Sequence, residues 1–267
     1  MNFYIIFLFI IGIFLFIAFK KYMKKMQKKS SGYSVNLISK YREIAKTENK
    51  VIIHCMHIGK TGGTAIKFAM NLKGSAYIDD KYIIVGHRHS FSLKDVLPDE
   101  KCFFFVRDPI DRFISSFYSR KRKGMPRIYR EWNKGEKKAF SKFNTPNELA
   151  RALNSEDLNI KNDAIDAMKN IHHVKTSFWD WFISKEYFLS RKDDILFIGN
   201  QKKMDSDFIK LKNILELPDH FSLPRDPVKM HKNPEGIDKN LDDNAIKNLK
   251  SWYAKDYEFL DIASSLN

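Results

Sequence analysis

The stretch HIGKTGGT, His57 to Thr64, decides the fold of this chain, because it lies between an apolar run, Val51 to Met56, and a helical pattern that begins near Ala65. A strand, a glycine-rich turn and a helix in this order are typical of a phosphate site. Three glycines let the backbone turn tightly and bring its N–H groups close to an anion. They are Gly59, Gly62 and Gly63. Lys60 adds a full positive charge, so the stretch predicts an anion site at the end of a buried strand.

The loop does not match the phosphate loop of nucleoside triphosphatases. That motif, G-x-x-x-x-G-K, needs a glycine at the position that His54 occupies. The other two glycines of the loop follow Lys60 instead of preceding it. A connecting turn with an exposed lysine remains the alternative as long as this segment is considered alone.

Four short apolar runs, each bounded by turn or charged residues, predict strands buried on both faces of a sheet. They are 51–56, 82–85, 102–106 and 195–198. With the helical patterns between and after them, they predict an α/β protein. We expect a P-loop-like, three-layer α/β/α architecture with a mostly parallel central sheet. This domain should cover 49–267 and include a basic, aromatic helical insertion over 124–190.

The ends of several helices can be predicted from single residues. The expected helices cover 108–122, 206–217 and 244–257. Asp108 is a favourable N-cap, and Pro109 suits the first helical position. The last helix should bury Leu249, Trp252 and Tyr253.

The N-terminal part of the chain predicts a membrane anchor. Phe3 to Phe19 is an uncharged run of 17 residues. As a helix it spans roughly 26 Å, close to the hydrocarbon thickness of a bilayer. We expect a retained transmembrane helix over 1–19 and a basic juxtamembrane segment and polar linker over 20–48, with a cleaved signal peptide as the alternative. Because six lysines follow the run and none precedes it, the domain over 49–267 should face the cytoplasm; the Golgi lumen is the alternative.

The net charge of +15 predicts an acidic partner. Nucleic acid, an anionic membrane and a polyanionic substrate or cofactor all fit this charge, but no nucleic-acid-binding motif is present, so nucleic acid is not expected. The chain has two cysteines, Cys55 and Cys102, and both fall in predicted strands. They are therefore expected to be apolar core residues and not a disulfide or a catalytic thiol.

A second candidate phosphate ligand set lies in FFFVRDPIDRFISSF, Phe103 to Phe117. Arg107 leaves a predicted strand, and Ser115 lies one to two turns into the helix that follows. An arginine fork and a hydroxyl beside a helix N-terminus can bind a phosphate together. The alternative is that Arg107 pairs with Asp108 or Asp111 and that Ser115 has no such role.

Two histidines follow the second predicted strand, in the segment VGHRHSF. An imidazole such as that of His87 titrates near neutral pH and can take a proton from a hydroxyl nucleophile. His87 and His89 could instead bind a metal, but the expected third ligand is not evident. An ordinary loop histidine is the remaining alternative.

With these motifs the chain resembles the sulfotransferases that use 3′-phosphoadenosine-5′-phosphosulfate, especially the carbohydrate branch that includes the heparan sulfate 2-O enzymes. HIGKTGGT looks like the 5′-phosphosulfate loop of that family, and VRDPIDRFISSFY looks like its 3′-phosphate motif. GHRHSF is similar to the segment with the proposed catalytic histidine. FIGNQKKMDSDF, 197–208, resembles a later strand and helix start, although Gln201 replaces the usual glutamate.

The resemblance implies a role for each matching residue. Lys60 would stabilise the bridging oxygen as it leaves, and His87 would deprotonate the acceptor hydroxyl. Arg107 and Ser115 would bind the 3′-phosphate, and Lys232 would close over the adenosine. The 5′-phosphate would be held by the loop residues Gly59, Lys60, Thr61, Gly62, Gly63, Thr64 and Ala65.

No metal is required by such a transfer, and the acceptor would be a carbohydrate or glycolipid. Basic and aromatic residues of the insertion could line a groove for it, among them Arg120, Trp179 and Trp181. A solvated basic surface explains the same charges. Two further functions remain as alternatives: a nucleotide-dependent kinase, which would need Mg²⁺ and an acidic residue such as Asp108, and a non-catalytic, membrane-tethered protein that binds polyanions.

Overall fold

The computed structural model describes residues 37–72, 75–226, 234 and 236–266. The predicted anchor over 1–19, the lysines that follow it and Lys232 lie outside these residues. Among the residues described, no helix is long and apolar enough to cross a membrane.

The chain divides into two compact units, 1–50 and 51–267. The described part of the first unit is mainly helix α1, residues 37–48. A polar linker was expected here, but Leu37, Tyr41, Ile44 and Ala45 recur with helical spacing and give this short segment an apolar side. Asn49 has a φ of 52°, which ends the helix in the left-handed conformation typical of a C-terminal cap.

The second unit contains a five-stranded sheet in the order β2-β3-β1-β4-β5. The strands are β1 Val51–Cys55, β2 Ala76–Ile78, β3 Tyr82–Gly86, β4 Lys101–Val106 and β5 Ile195–Asn200. Strand β1 pairs in parallel with β3 and β4, and β4 pairs in parallel with β5, whereas β2 is antiparallel to β3. The mostly parallel α/β sheet is therefore confirmed.

Two features of the sheet differ from the expectation. The edge strand β2 was not predicted, because its three residues, Ala-Tyr-Ile, are too few to show a pattern. Strand β5 was predicted to be buried on both faces, but only Ile198 and Gly199 are buried in it. Its position at the end of the sheet, next to β4 alone, explains this exposure.

Helices cover both faces of the sheet. On one face, α2 Gly63–Ala69 and α9 Met204–Ile214 share a core with Ile53 and Phe103. The other face packs against an aromatic layer. This layer comes from α7 Trp179–Phe182, α8 Lys185–Ser190 and the C-terminal helix α11 Ala254–Ser264.

A separate helical cluster has its own core. It is formed by α3 Pro109–Lys121, α4 Lys134–Lys142, α5 Pro146–Ala152, α6 Leu158–Asn170 and α10 Asp243–Trp252. Helices α4 to α8 lie within the predicted insertion over 124–190, and no helix covers 123–133. The helix predicted over 244–257 is split at Tyr253 into α10 and α11. Leu249 and Tyr253 are buried as expected, but Trp252 is 37% exposed, so its predicted burial was wrong.

Candidate functional site

The loop between β1 and α2 has an unusual backbone. Lys60 has a φ of 68° and Gly62 a φ of 90°, both in the left-handed region. Helix α2 begins at Gly63, two residues before the predicted start, and the Ala65 amide donates to the Gly62 carbonyl at 2.8 Å. Thr61 Oγ1 donates to the Ile58 carbonyl at 3.1 Å, so its hydroxyl closes the turn. One of these two hydrogen bonds closes the turn that contains Lys60, and the other closes the turn that follows it.

Arg112 holds this loop through a hydrogen bond to its backbone. Its Nε donates to the Gly59 carbonyl at 3.2 Å, and its Nη2 donates to Thr176 Oγ1 at 2.8 Å. The guanidinium is only 2% exposed, lies over the Phe178 ring and is 3.8 Å from the Asp256 carboxylate. Sequence reasoning missed this residue, because its partners come from segments far apart in the chain.

Helix α3 begins as the sequence predicts and positions the second candidate ligand set. Asp108 Oδ1 accepts hydrogen bonds from the amides of Ile110 and Asp111 at 2.9 and 3.0 Å, and Pro109 is the first helical residue. Arg107 therefore lies between the end of β4 and the start of α3. Ser115 is buried on α3, with 6% of its surface exposed.

Arg107 contacts the loop directly and has an unused donor. Its Nη1 donates to the Lys60 carbonyl at 3.3 Å. Its Nε is buried, and no acceptor contacts it in the part of the chain that the structure describes. Burial lowers the pKa of Arg107, and the nearby carboxylates of Asp111 and Asp108 offset part of this effect. A buried donor without an acceptor is unfavourable, and an anionic oxygen would satisfy it.

Lys60 is surrounded by other cations. Burial and the neighbouring Arg107, Arg122 and Arg127 lower the pKa of Lys60 to about 7. Arg127 Nη1 also donates to Thr64 Oγ1 at 3.1 Å, so an arginine from the segment after α3 reaches the start of α2. Four basic side chains thus meet at one loop, and such a concentration of like charge favours a multiply charged anion.

His87 follows β3 and is held on several sides. The His87 backbone N–H donates to the Cys55 carbonyl at 3.1 Å, and Lys67 Nζ donates to the His87 carbonyl at 2.8 Å. Its ring stacks on Phe91 with centroids 3.6 Å apart, and its Nε2 lies 2.8 Å from Nδ1 of His54. The imidazole is 6% exposed.

His89 is placed differently from His87. It is exposed, and its Nδ1 donates to the His57 carbonyl at 2.7 Å. Its ring lies near those of His57 and His173. His173 in turn packs against the loop, since a Cβ on Gly59 would lie 2.7 Å from its Nδ1. Despite these histidines, no group of three or more metal-binding side chains is arranged for a metal ion among the described residues.

The predicted acceptor groove needs correction. Arg120 is 5% exposed and binds both oxygens of Glu136, at 2.6 and 2.8 Å, so it joins α3 to α4 and does not line a groove. Trp181 is 4% exposed, and Trp179 packs on Phe259 in the aromatic layer. The tryptophans support the fold because large aromatic side chains bury the most apolar surface.

The structure brings together the predicted loop and Arg107, and it places His87 at the end of the neighbouring strand β3. It adds Arg112, Arg122 and Arg127. Lys232 is outside the described residues, so its role stays a prediction. A model described as the sulfotransferase family matches residues 42–262 of the chain. No curated protein matches it significantly.

Proposed function

Because the chain belongs to the sulfotransferase family, whose enzymes use 3′-phosphoadenosine-5′-phosphosulfate, we propose that it transfers the sulfuryl group to a hydroxyl of a carbohydrate or glycolipid. One observation carries the assignment of the donor site. Four basic side chains meet at the loop, and Arg107 Nε is a buried donor without an acceptor among the described residues. A donor with a 3′-phosphate and a 5′-phosphosulfate has the charge that this arrangement favours.

In this proposal the loop holds the 5′ end of the donor. The backbone of Gly59 to Thr64 surrounds the 5′-phosphate, with Thr61 and Thr64 beside it and Ala65 at the start of α2. Lys60 faces the oxygen that bridges phosphorus and sulfur. A protonated Lys60 stabilises the negative charge that grows on this oxygen as the bond to sulfur breaks.

The 3′-phosphate is assigned to Arg107 and Ser115. Arg107 leaves β4 with its Nε unsatisfied, and Ser115 is buried on the helix that follows. Lys232 belongs to the same proposal as the residue that closes over the adenosine. Arg122 and Arg127 add positive charge on the side of the segment 122–133.

His87 is proposed to act as the general base. The acceptor oxygen forms a bond to sulfur while the bond between sulfur and the 5′-phosphate oxygen breaks. The electron pair of the broken bond stays on the phosphate, and the acceptor proton moves to His87. Nδ1 of His89 donates to the His57 carbonyl, so in His89 the nitrogen that would accept a proton is Nε2.

The acceptor assignment rests on charge and on the similarity to the carbohydrate branch. With Arg120 and the two tryptophans in structural roles, the residues left to contact an acidic sugar are those of the segment 122–133. Lys123 and Arg130 lie on this segment together with Arg122 and Arg127. We keep the membrane anchor over 1–19 and the cytoplasmic orientation as part of the proposal.

Binding of adenosine 3′,5′-bisphosphate tests the donor site. Thermal stabilisation by this compound is expected, and stabilisation by ATP with Mg²⁺ but not by the bisphosphate would refute the proposal. Arg107→Gln should weaken the bisphosphate about 10- to 100-fold, the loss of a charged hydrogen bond. Arg151→Gln is the matched control, because Arg151 is exposed and forms a 3.6 Å ion pair with Asp242. Transfer of labelled sulfate to desulfated heparin, chondroitin, galactosylceramide and a tyrosine peptide then tests the acceptor class.

A further inference from the structure

Two buried polar side chains, His54 and Glu100, connect to His87 through hydrogen bonds. His54 Nδ1 lies 2.8 Å from His87 Nε2, and His54 Nε2 lies 2.9 Å from Glu100 Oε2. His54 is fully buried, and Glu100 is 7% exposed. The three residues come from β1, from the turn before β4 and from the end of β3, so only the folded sheet brings them together.

The hydrogen bonds of Glu100 determine which ring nitrogen of His54, and then of His87, acts as the donor. Its Oε2 accepts the Leu97 amide at 2.8 Å as well as His54 Nε2, so it acts as a carboxylate acceptor for both. His54 therefore carries its proton on Nε2 and presents the lone pair of Nδ1 to His87. His87 then donates through Nε2, and its own lone pair is on Nδ1. With both rings neutral, this set of tautomers satisfies the contacts of His54 with His87 and Glu100 and of Glu100 with Leu97.

The position of His54 is unfavourable for stability alone. Its neighbours on β1, Ile53 and Cys55, are core residues, and the same strand is buried between β3 and β4. A histidine and a carboxylate in such a core must be desolvated, and apolar side chains of similar volume are often at least as stable. A polar pair that the fold does not require, in contact with the proposed base, indicates a role in catalysis.

We propose that His54 and Glu100 are positioning residues that hold His87 in the tautomer with a basic Nδ1 and stabilise its cationic form during sulfuryl transfer. The inference rests on the proposed function. The acceptor proton moves to His87 Nδ1 as the acceptor oxygen bonds to sulfur and the phosphate oxygen leaves. His87 becomes positive, His54 accepts its Nε2–H, and the Glu100 charge is aligned behind both rings, as the orienting carboxylate is in a serine protease.

Three other neighbours of His87, namely Lys67, Cys55 and Phe91, do not stabilise its protonated form by a negative charge. Lys67 Nζ binds the His87 carbonyl at 2.8 Å and adds a positive charge. Burial raises the pKa of the Cys55 thiol to about 12, so this neighbour stays neutral. Phe91 covers one face of the ring. The carboxylate of Glu100 is thus the negative charge that these contacts connect to His87.

The first test changes the charge and keeps the shape. Glu100→Gln retains an oxygen for His54 and Leu97, and kcat should fall about 10- to 100-fold, the loss seen when the hydrogen-bond partner of a metal-binding histidine is removed. The acidic limb of the kcat profile should move to lower pH, while KM for the donor and stabilisation by adenosine 3′,5′-bisphosphate stay unchanged. Asp95→Asn, an acid-to-amide change on the same connection before β4, is the control and should leave all three readouts as in the parent.

A double variant separates positioning from folding. If Glu100 acts through His87, Glu100→Gln should have no further effect on kcat in a His87→Ala background. A second loss of similar size in that background, or an unchanged pH profile in the single variant, would overturn the proposal.

The tautomers of His54 and His87 can be measured without an acceptor substrate. In ¹⁵N NMR spectra of the labelled protein, His54 and His87 should both be protonated on Nε2 in the neutral state. Protonation of His54 on Nδ1 would contradict the inference even if the enzyme is active. A protein that shows these tautomers but neither binds the bisphosphate nor transfers sulfate would instead refute the proposed function, so the two failures are distinguishable.

Discussion

Binding of the bisphosphate should be coupled to proton uptake at Lys60. Burial and three arginines lower the pKa of this lysine to about 7 in the free protein. At pH 8 about nine-tenths of Lys60 is therefore neutral before binding. A phosphate charge at about 4 Å contributes about 4 kcal/mol at an effective dielectric constant near 20, which is about three pKa units. The bound lysine should therefore be protonated.

The expected proton uptake is the difference in Lys60 protonation between the free and the bisphosphate-bound protein. About 0.9 proton should be taken up per bisphosphate bound at pH 8, and the dissociation constant should rise about tenfold between pH 8 and pH 9. The second ionisation of the phosphates, near pH 6, is complete in this range and does not contribute. Burial holds the pKa of His173 well below its usual value, so this neighbour is neutral before binding.

Isothermal titration calorimetry in buffers of different ionisation enthalpy measures the uptake directly. Lys60→Met should remove both the uptake and the pH dependence of binding above pH 8. Lys202→Met is the matched control, because Lys202 is exposed and pairs with Asp111 at 3.4 Å. Uptake close to zero in the parent protein, or equal uptake in Lys60→Met, would refute the assignment of Lys60 to the phosphate site.

Three further outcomes follow from the same contacts. Lys60→Met should raise the Tm of the ligand-free protein near pH 7, and the gain should shrink toward pH 10, because the unfolded chain binds more protons than the folded chain in this range; a constant gain would contradict this. Arg112→Met should lower the free energy of unfolding in urea by about 3–5 kcal/mol, since it leaves the buried Asp256 without its cation; a loss below about 1 kcal/mol would show that the pair is not important. Gly62→Ala should weaken bisphosphate binding, because a φ of 90° is strained in alanine and its Cβ would contact Met204; an unchanged affinity in calorimetry would show that the loop tolerates a different turn.

The parts of the fold that local patterns encode were predictable. Strands β1, β3 and β4 are apolar runs, and the start of α3 is marked by Asp108 and Pro109. Strand β2 was missed because three residues carry no periodicity, and the break at Tyr253 was missed because both flanking segments have helical patterns.

The site residues that belong to one contiguous motif could be predicted from the sequence. Those whose partners come from distant segments could not. The loop at Lys60 and Arg107 each follow directly from a strand end. Arg112 could be recognised only after Thr176 and Asp256 had been brought beside Gly59. His54 was visible as a polar residue within an apolar run, but the sequence could not show that its partners are His87 and Glu100, which lie 33 and 46 positions away.

The buried Arg112 also links the site to the order in which the chain is completed. It holds the Gly59 carbonyl on one side and reaches Asp256 on the C-terminal helix α11 on the other. During synthesis the phosphate loop therefore emerges long before the last of its supports. A nascent chain that lacks α11 has the whole loop sequence but not the contacts that fix it. Donor binding should consequently appear only when the C-terminal helix has docked, so the active site itself reports that folding is complete.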